Sequence, residues 1–190
     1  MKFLSARQAI HDAYATNLTS KGFEINPVSF RSSGNTRKQS NDSRICHTVE
    51  AGIVIAAVEG LEEPFRSWAK WAYGPRTQEF LPEQNRFFRW LDEDVDRRLG
   101  ESERQYRNST RQKIKDVVAY SVMDYRSYII SERHLYPVSL IINRCKIIRQ
   151  NWKRDFEPWH QLYWQLCDTY FDQNCLASVA EVIGRFRGGV

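Results

Sequence analysis

From Arg133 to Arg154 the chain carries Arg133, Arg144, Lys146, Arg149, Lys153 and Arg154, and no acidic residue. A basic run without interspersed carboxylates is the electrostatic footprint of a site for a polyanion. Arg, Lys, Gln and Asn are also the side chains that grip guanine or adenine edges, or neutralise phosphates. Arg149, Gln150, Lys153 and Arg154 are therefore candidates for contact with double-stranded DNA. Arg133, Arg144 and Lys146 would add charge toward the phosphates.

Those residues need elements to present them. Pro137 can open a helix, since the N–H it lacks would have no partner there. Leu140, Ile141 and Cys145 then give an apolar face, and a short connection comes next around Lys146 and Ile147. A second short helix starting near Arg149 carries Trp152 and Phe156 inward at i, i+4, leaving Arg149, Gln150, Lys153 and Arg154 facing out. This is the pattern of a helix-turn-helix. Lys146 stands where such turns favour Gly, so a positive φ there costs about 1 kcal/mol. Ile148 stands where a Ser or Thr would cap the second helix, a loss of about 1 kcal/mol. Two amphipathic helices of a bundle with a solvated basic face would give the same pattern.

Other chemistry is thinly represented. Glu157 and His160 have the spacing of carboxylate-bridged iron sites, but a second copy is missing and Pro158 interrupts the pair. His47 and Glu50 are i, i+3 and read as a local contact. No phosphate-binding glycine loop, Gly-x-Ser-x-Gly or His-Glu-x-x-His occurs. The sequence thus selects no nucleophile with a base beside it, and predicts no enzyme activity, cofactor or metal. Cys46, Cys145, Cys167 and Cys175 have neither zinc-finger nor Cys-x-x-Cys spacing, and read as reduced, mostly buried thiols.

Apolar content of 42% with 13% aromatic residues supplies a sizeable core for the supporting elements, and the net charge of +5 favours acidic partners only mildly. No stretch reaches ~18 apolar residues and the first twenty hold no unbroken apolar region, which predicts a cytoplasmic chain with no membrane partner. Ser5 and Gln8 form a possible capping box for a helix burying Ala6, Ile10, Ala13, Tyr14 and Leu18. Residues 23–43 read as a polar, basic loop, either a flexible connection or an arm toward phosphates. A helix after Asn41 should bury Ile45, Val49, Ile53, Ala56 and Ala57. Phe65, Trp68 and Trp71 recur every three residues and read as core. Phe87, Leu91, Val95 and Leu99 line the next helix, with Asp92, Glu93, Asp94 and Asp96 as a solvated outer face. A longer helix places Ile114, Val118, Val122, Tyr125 and Ile129 on one stripe, as the supporting helix of a tri-helical unit. Pro158 should break the chain and restart it through Trp159, Leu162, Tyr163, Leu166 and Tyr170. Leu176, Val179, Ala180, Ile183 and Phe186 line a last helix.

No strand alternation appears. The expected fold is all-α, a helical bundle with a C-terminal helix-turn-helix unit. It would comprise an N-terminal lobe over 1–100 and a DNA-binding lobe over 111–190, or one compact domain. Oligomeric state is not readable.

The stretch from Ile142 to Phe156, Ile-Asn-Arg-Cys-Lys-Ile-Ile-Arg-Gln-Asn-Trp-Lys-Arg-Asp-Phe, resembles the helix-turn-helix of bacteriophage late-gene antitermination proteins of the Q type. Ser40-Asn-Asp-Ser-Arg-Ile-Cys-His-Thr-Val-Glu-Ala, Ala57-Val-Glu-Gly-Leu and Trp71-Ala-Tyr have a similar look. The resemblance implies a phage or prophage regulator that binds DNA near a late promoter. Such a protein joins paused RNA polymerase and lets it read through terminators. It also implies DNA contacts at Arg149, Gln150, Asn151, Lys153 and Arg154, and matches no motif for the polymerase contact. The competing expectation is a helical interaction or scaffold protein without a DNA role, its tryptophan-rich half forming the partner surface.

Overall fold

The computed structural model describes residues 5–20 and 41–188. Regular structure among them is helical throughout, so the fold is all-α. The basic segment expected as a loop falls outside the described residues up to position 40. Residue contacts group the chain into two compact units, one reaching Asn85 and resuming at Asn174, the other spanning Arg86–Gln173.

In the first unit, helix α1 (Ala6–Ser20) starts as its capping residues predict, with Ser5 Oγ accepting the Gln8 N–H at 3.2 Å. Ile10, Ala13, Tyr14 and Leu18 are buried. Helix α2 (Asn41–Glu59) packs on α1, but with a different face from the expected one. Ala51, Val54 and Val58 are buried, whereas Val49 is 57% and Ile53 39% exposed. The stretch 51–58 is so evenly apolar that no polar side fixes its rotation, and packing chose the phase. Helix α3 (Phe65–Tyr73) buries Trp68 and Trp71 as predicted, their rings edge to face at 5.7 Å. Lys70 bridges Glu59 at 3.0 Å and Glu83 at 2.8 Å, and Tyr14 Oη donates to Glu59 at 3.0 Å.

The second unit begins within helix α4 (Leu81–Glu101), where Phe87, Leu91, Val95 and Leu99 are all buried. On the acidic face of this helix Asp92, Glu93 and Asp96 are exposed as expected, and Asp94 is the exception. Asp94 is only 7% exposed, because it borders the Leu91–Val95 stripe. It accepts hydrogen bonds from Tyr163 Oη at 2.8 Å, Arg98 Nε at 2.7 Å and Arg97. Asp96 is paired too, with Lys115 at 2.7 Å and Arg111 at 3.8 Å. Burial alone would raise the Asp94 carboxyl, but the bonds from Arg98, Tyr163 and Arg97 outweigh it and hold it below the usual aspartate value. A carboxyl held low stabilises the fold above its unfolded value, and that stability is lost as pH falls through the folded one. Asp94→Asn should therefore cost about 2 kcal/mol at neutral pH. In thermal melts the gap to wild type should close in acid, below the ordinary aspartate range. A gap independent of pH would remove the charge from this explanation.

Helix α5 (Asn108–Ser131) buries Ile114, Val118, Val122 and Tyr125, with Ile129 half-buried. It is followed by α6 (Val138–Arg144) and α7 (Arg149–Asn151). The chain then stays helical: a wide π turn over Trp152–Phe156, α8 (Glu157–Gln165), a second wide turn over Leu166–Phe171, and α9 (Asp172–Gly188). Pro158 therefore does not break the chain. It occupies the first turn of α8, where the wide turn before it has already displaced the regular hydrogen-bond ladder. The carbonyl it cannot serve, that of Arg154, lies 3.5 Å from Arg104 Nη1. Of the stripe expected here Trp159 and Tyr163 are buried, whereas Leu162, in α8, and Tyr170, inside the second wide turn, are exposed. Cys46 is exposed, Cys145, Cys167 and Cys175 are buried, and all four are reduced thiols.

Candidate nucleic-acid interface

The connection between α6 and α7 is a left-handed helix cap. Lys146 has φ 50°, the strained conformation its position predicts. The Ile147 N–H returns to the Ile142 carbonyl at 2.9 Å and the Lys146 N–H to that of Asn143 at 3.2 Å. These are the two bonds of a Schellman motif, and the residues that would make its apolar contact, Ile142 and Ile147, are both buried. Lys113 on α5 donates to the Lys146 carbonyl at 2.6 Å, so the turn is held from both sides. Ile148 occupies the N-cap of α7 without a side-chain hydrogen bond, as its residue type requires.

Lys146→Gly should relieve the left-handed strain and raise stability by about 1 kcal/mol. On the expectation that Lys146 meets phosphates, the same change should weaken affinity for duplex DNA, because an exposed ammonium is lost. Thermal melts and DNA titrations on one preparation would read the two opposite signs. A variant no more stable than wild type would mean that the turn is not strained.

From this turn Cys145, Ile147, Trp152 and Phe156 point inward and are buried. Trp152 stacks on Phe156 with ring centroids 6.5 Å apart, and its ring lies 5.9 Å from that of His160. Arg149, Gln150, Lys153 and Arg154 are exposed on the opposite side, and Asn151 is half-buried. Arg144, Lys146 and Arg133 are exposed as well.

The cations are not equally free. Among the described residues Arg133, Arg144, Lys146, Arg149 and Lys153 make no ion pair. Arg154 instead lies on Asp155, with Nε and Nη2 donating to its two oxygens at 3.0 and 2.9 Å, and it reaches Asn151 Oδ1 at 3.3 Å. Arg104 adds a second ion pair to Asp155 at 2.6 Å. The bond from Arg154 outweighs burial and, with Arg104, holds the Asp155 carboxyl below its usual value. Arg154 thus presents only part of its charge, while Arg149 and Lys153 present theirs whole. The basic run in the sequence stops one residue short of this acid, and Arg104 lies fifty positions before Arg154.

A second group escaped the sequence reading. Asp124 on α5 is 2% exposed. It accepts the Tyr136 N–H at 2.7 Å and faces His134 Nδ1 at 2.7 Å, which ties the connection before α6 to the supporting helix. Its only signal was position: it directly precedes Tyr125 and lies three residues after Ser121, both buried.

Fold and surface together define a helical protein whose second unit ends one face in an uncompensated basic edge around a tight interhelical turn. The family model described as phage antitermination protein Q matches residues 51–186, and the chain belongs to that family. The match covers the whole of the α5–α8 region and begins beyond α1 and the basic segment at 23–43. No curated protein and no solved structure matches. No helix among the described residues is long and apolar enough to cross a membrane.

Proposed function

We propose that this phage antitermination-type regulator binds double-stranded DNA through α6, the Lys146 turn and α7. In this reading it acts on RNA polymerase at late genes. The observation that carries the reading is the set Arg144, Lys146, Arg149 and Lys153, exposed around one rigid turn and without ion pairs among the described residues. Charge placed on a scaffold that gives it no acidic partner is charge available to a polyanion. The buried Trp152 and Phe156 fix which side of the helix faces out. Family membership supports the antitermination role.

In a helix-turn-helix the first residues of the second helix meet base edges. Arg149 and Gln150 hold those positions, and a Gln can pair with adenine N6 and N7. Lys153 lies a turn further along, nearer the phosphates. Gln150→Ala should relax the preference at one base pair by about 1–3 kcal/mol and leave non-specific binding nearly intact. Lys153→Ala should weaken all sequences alike and make the salt dependence shallower by about one unit of log–log slope. Titrating both variants against a panel of duplexes selected from a random library would separate them. Identical behaviour would show that α7 is not a recognition helix, even in a protein that binds DNA.

A further inference from the structure

Asp155 ends the basic run, and the fold makes it a meeting point for two arginines from distant parts of the chain. It lies in the wide turn Trp152–Phe156 and is only 7% exposed. Arg154 lies side-on to it, with Nε 3.0 Å from Oδ1 and Nη2 2.9 Å from Oδ2. Arg104, from the connection between α4 and α5, brings Nη2 to 2.6 Å from the same Oδ1. The carboxylate is covered, but the side chains of Arg104 and Arg154 stand 46% and 64% exposed above it. Each has a further hold. Arg154 Nη2 donates to Asn151 Oδ1 at 3.3 Å, and the Arg104 guanidinium lies 5.2 Å from the Tyr106 ring centroid.

Ion pairs between two fully exposed groups contribute little, because solvent screens both partners. Here one partner is buried, and losing both arginines would strand a carboxylate that solvent barely reaches. An arginine that left Asp155 for a phosphate would exchange one oxyanion for another. It would also uncover a negative charge beside the nucleic-acid backbone. Such an exchange gains little, so a held arginine adds little to the counterion release that drives binding. Without the carboxylate, two guanidiniums that now share one oxygen atom would repel each other at close range. Both side chains would then swing outward, toward any phosphate within reach.

We propose that Asp155 limits sequence-independent binding of duplex DNA by withholding Arg104 and Arg154 from phosphates. This restraint rests on the DNA-binding reading given above. Attraction to phosphates supplies essentially all of the non-specific affinity of such a protein. A carboxylate that commits two exposed arginines therefore lowers the hold on duplexes of any sequence, and leaves the choice among them to Arg149 and Gln150. A purely structural role for Asp155, as a staple between the α4–α5 connection and the turn, predicts the opposite sign on substitution. Loss of a staple loosens the edge and weakens binding, whereas loss of a restraint strengthens it.

The test is a titration of the whole protein against a fluorescent duplex of random sequence over a series of salt concentrations. Asp155→Asn keeps the shape of the side chain and removes its charge. It should bind about tenfold more tightly than wild type at about 50 mM salt. Its log–log slope should be steeper by about 0.9 for each arginine that now reaches a phosphate. Replacing Arg104 and Arg154 with Gln in the Asp155→Asn background should return the slope to the wild-type value. Arg104→Gln alone leaves Arg154 on the carboxylate and should leave the slope unchanged. Circular dichroism melts would confirm that each variant is folded; should Asp155→Asn not fold, Arg104→Gln decides. Unchanged or weaker binding by folded Asp155→Asn, a gain that survives loss of both arginines, or a shallower slope in Arg104→Gln would each overturn the restraint while the DNA-binding reading stands. A wild-type protein and an Asp155→Asn variant that both fail to bind at the lowest salt would overturn the two together.

Discussion

Trp152→Ala should lose about 3–5 kcal/mol of stability, the range for removing a large aromatic side chain from a packed core. Trp152 is buried, its ring stacks on Phe156 and lies near His160, and it sits within the wide turn that joins α7 to α8. Its removal therefore takes away packing on both sides of that turn. DNA binding should fall only in step with unfolding, and return at temperatures where the variant is folded. Denaturant melts and DNA titrations over the same temperature range would show the two losses moving together. A stable, folded Trp152→Ala protein that had selectively lost DNA binding would mean that the helix faces the other way, with its aromatic side on the DNA.

How far the sequence alone reached depended on how sharply each segment separated its polar and apolar sides. Helix α4 repeats Phe87, Leu91, Val95 and Leu99 at one step, and all four are core. Trp152 and Phe156 are the apolar pair of a strongly basic segment, so their inward direction and the outward one of Arg149 and Lys153 were legible together. The Lys146 turn was legible from the end of one apolar pattern and the start of the next. Helix α2 lacked such contrast, and its buried face was misread.

The remaining misreadings share a different cause. Proline normally stops a helix, and Pro158 does not, because the wide turn preceding it and the Arg104 side chain handle the unsatisfied backbone group. Neither feature has a local sequence signature. Asp94 read as solvent-facing, and Asp124 drew no notice, because carboxylates are rarely buried unless paired. Their partners Tyr163 and Tyr136 lie 69 and 12 residues away. Arg154 read as free charge although Asp155 follows it directly, because the burial of that carboxylate and its second partner, Arg104, come from the fold. Long-range pairing of polar groups was invisible to periodicity, and it is this pairing that sorts the basic residues into free and committed ones.

The most direct measurement is the affinity for duplex DNA as a function of salt. With Arg154 held by Asp155, Arg133, Arg144, Lys146 and Lys153 remain to neutralise phosphates. Each should contribute about −0.9 to the slope of log affinity against log salt, about −3.6 in all. Affinity should then drop roughly 150-fold between about 50 and 200 mM salt. A slope near zero, or no binding at the lowest salt, would contradict a DNA-binding role for the α6–α7 edge.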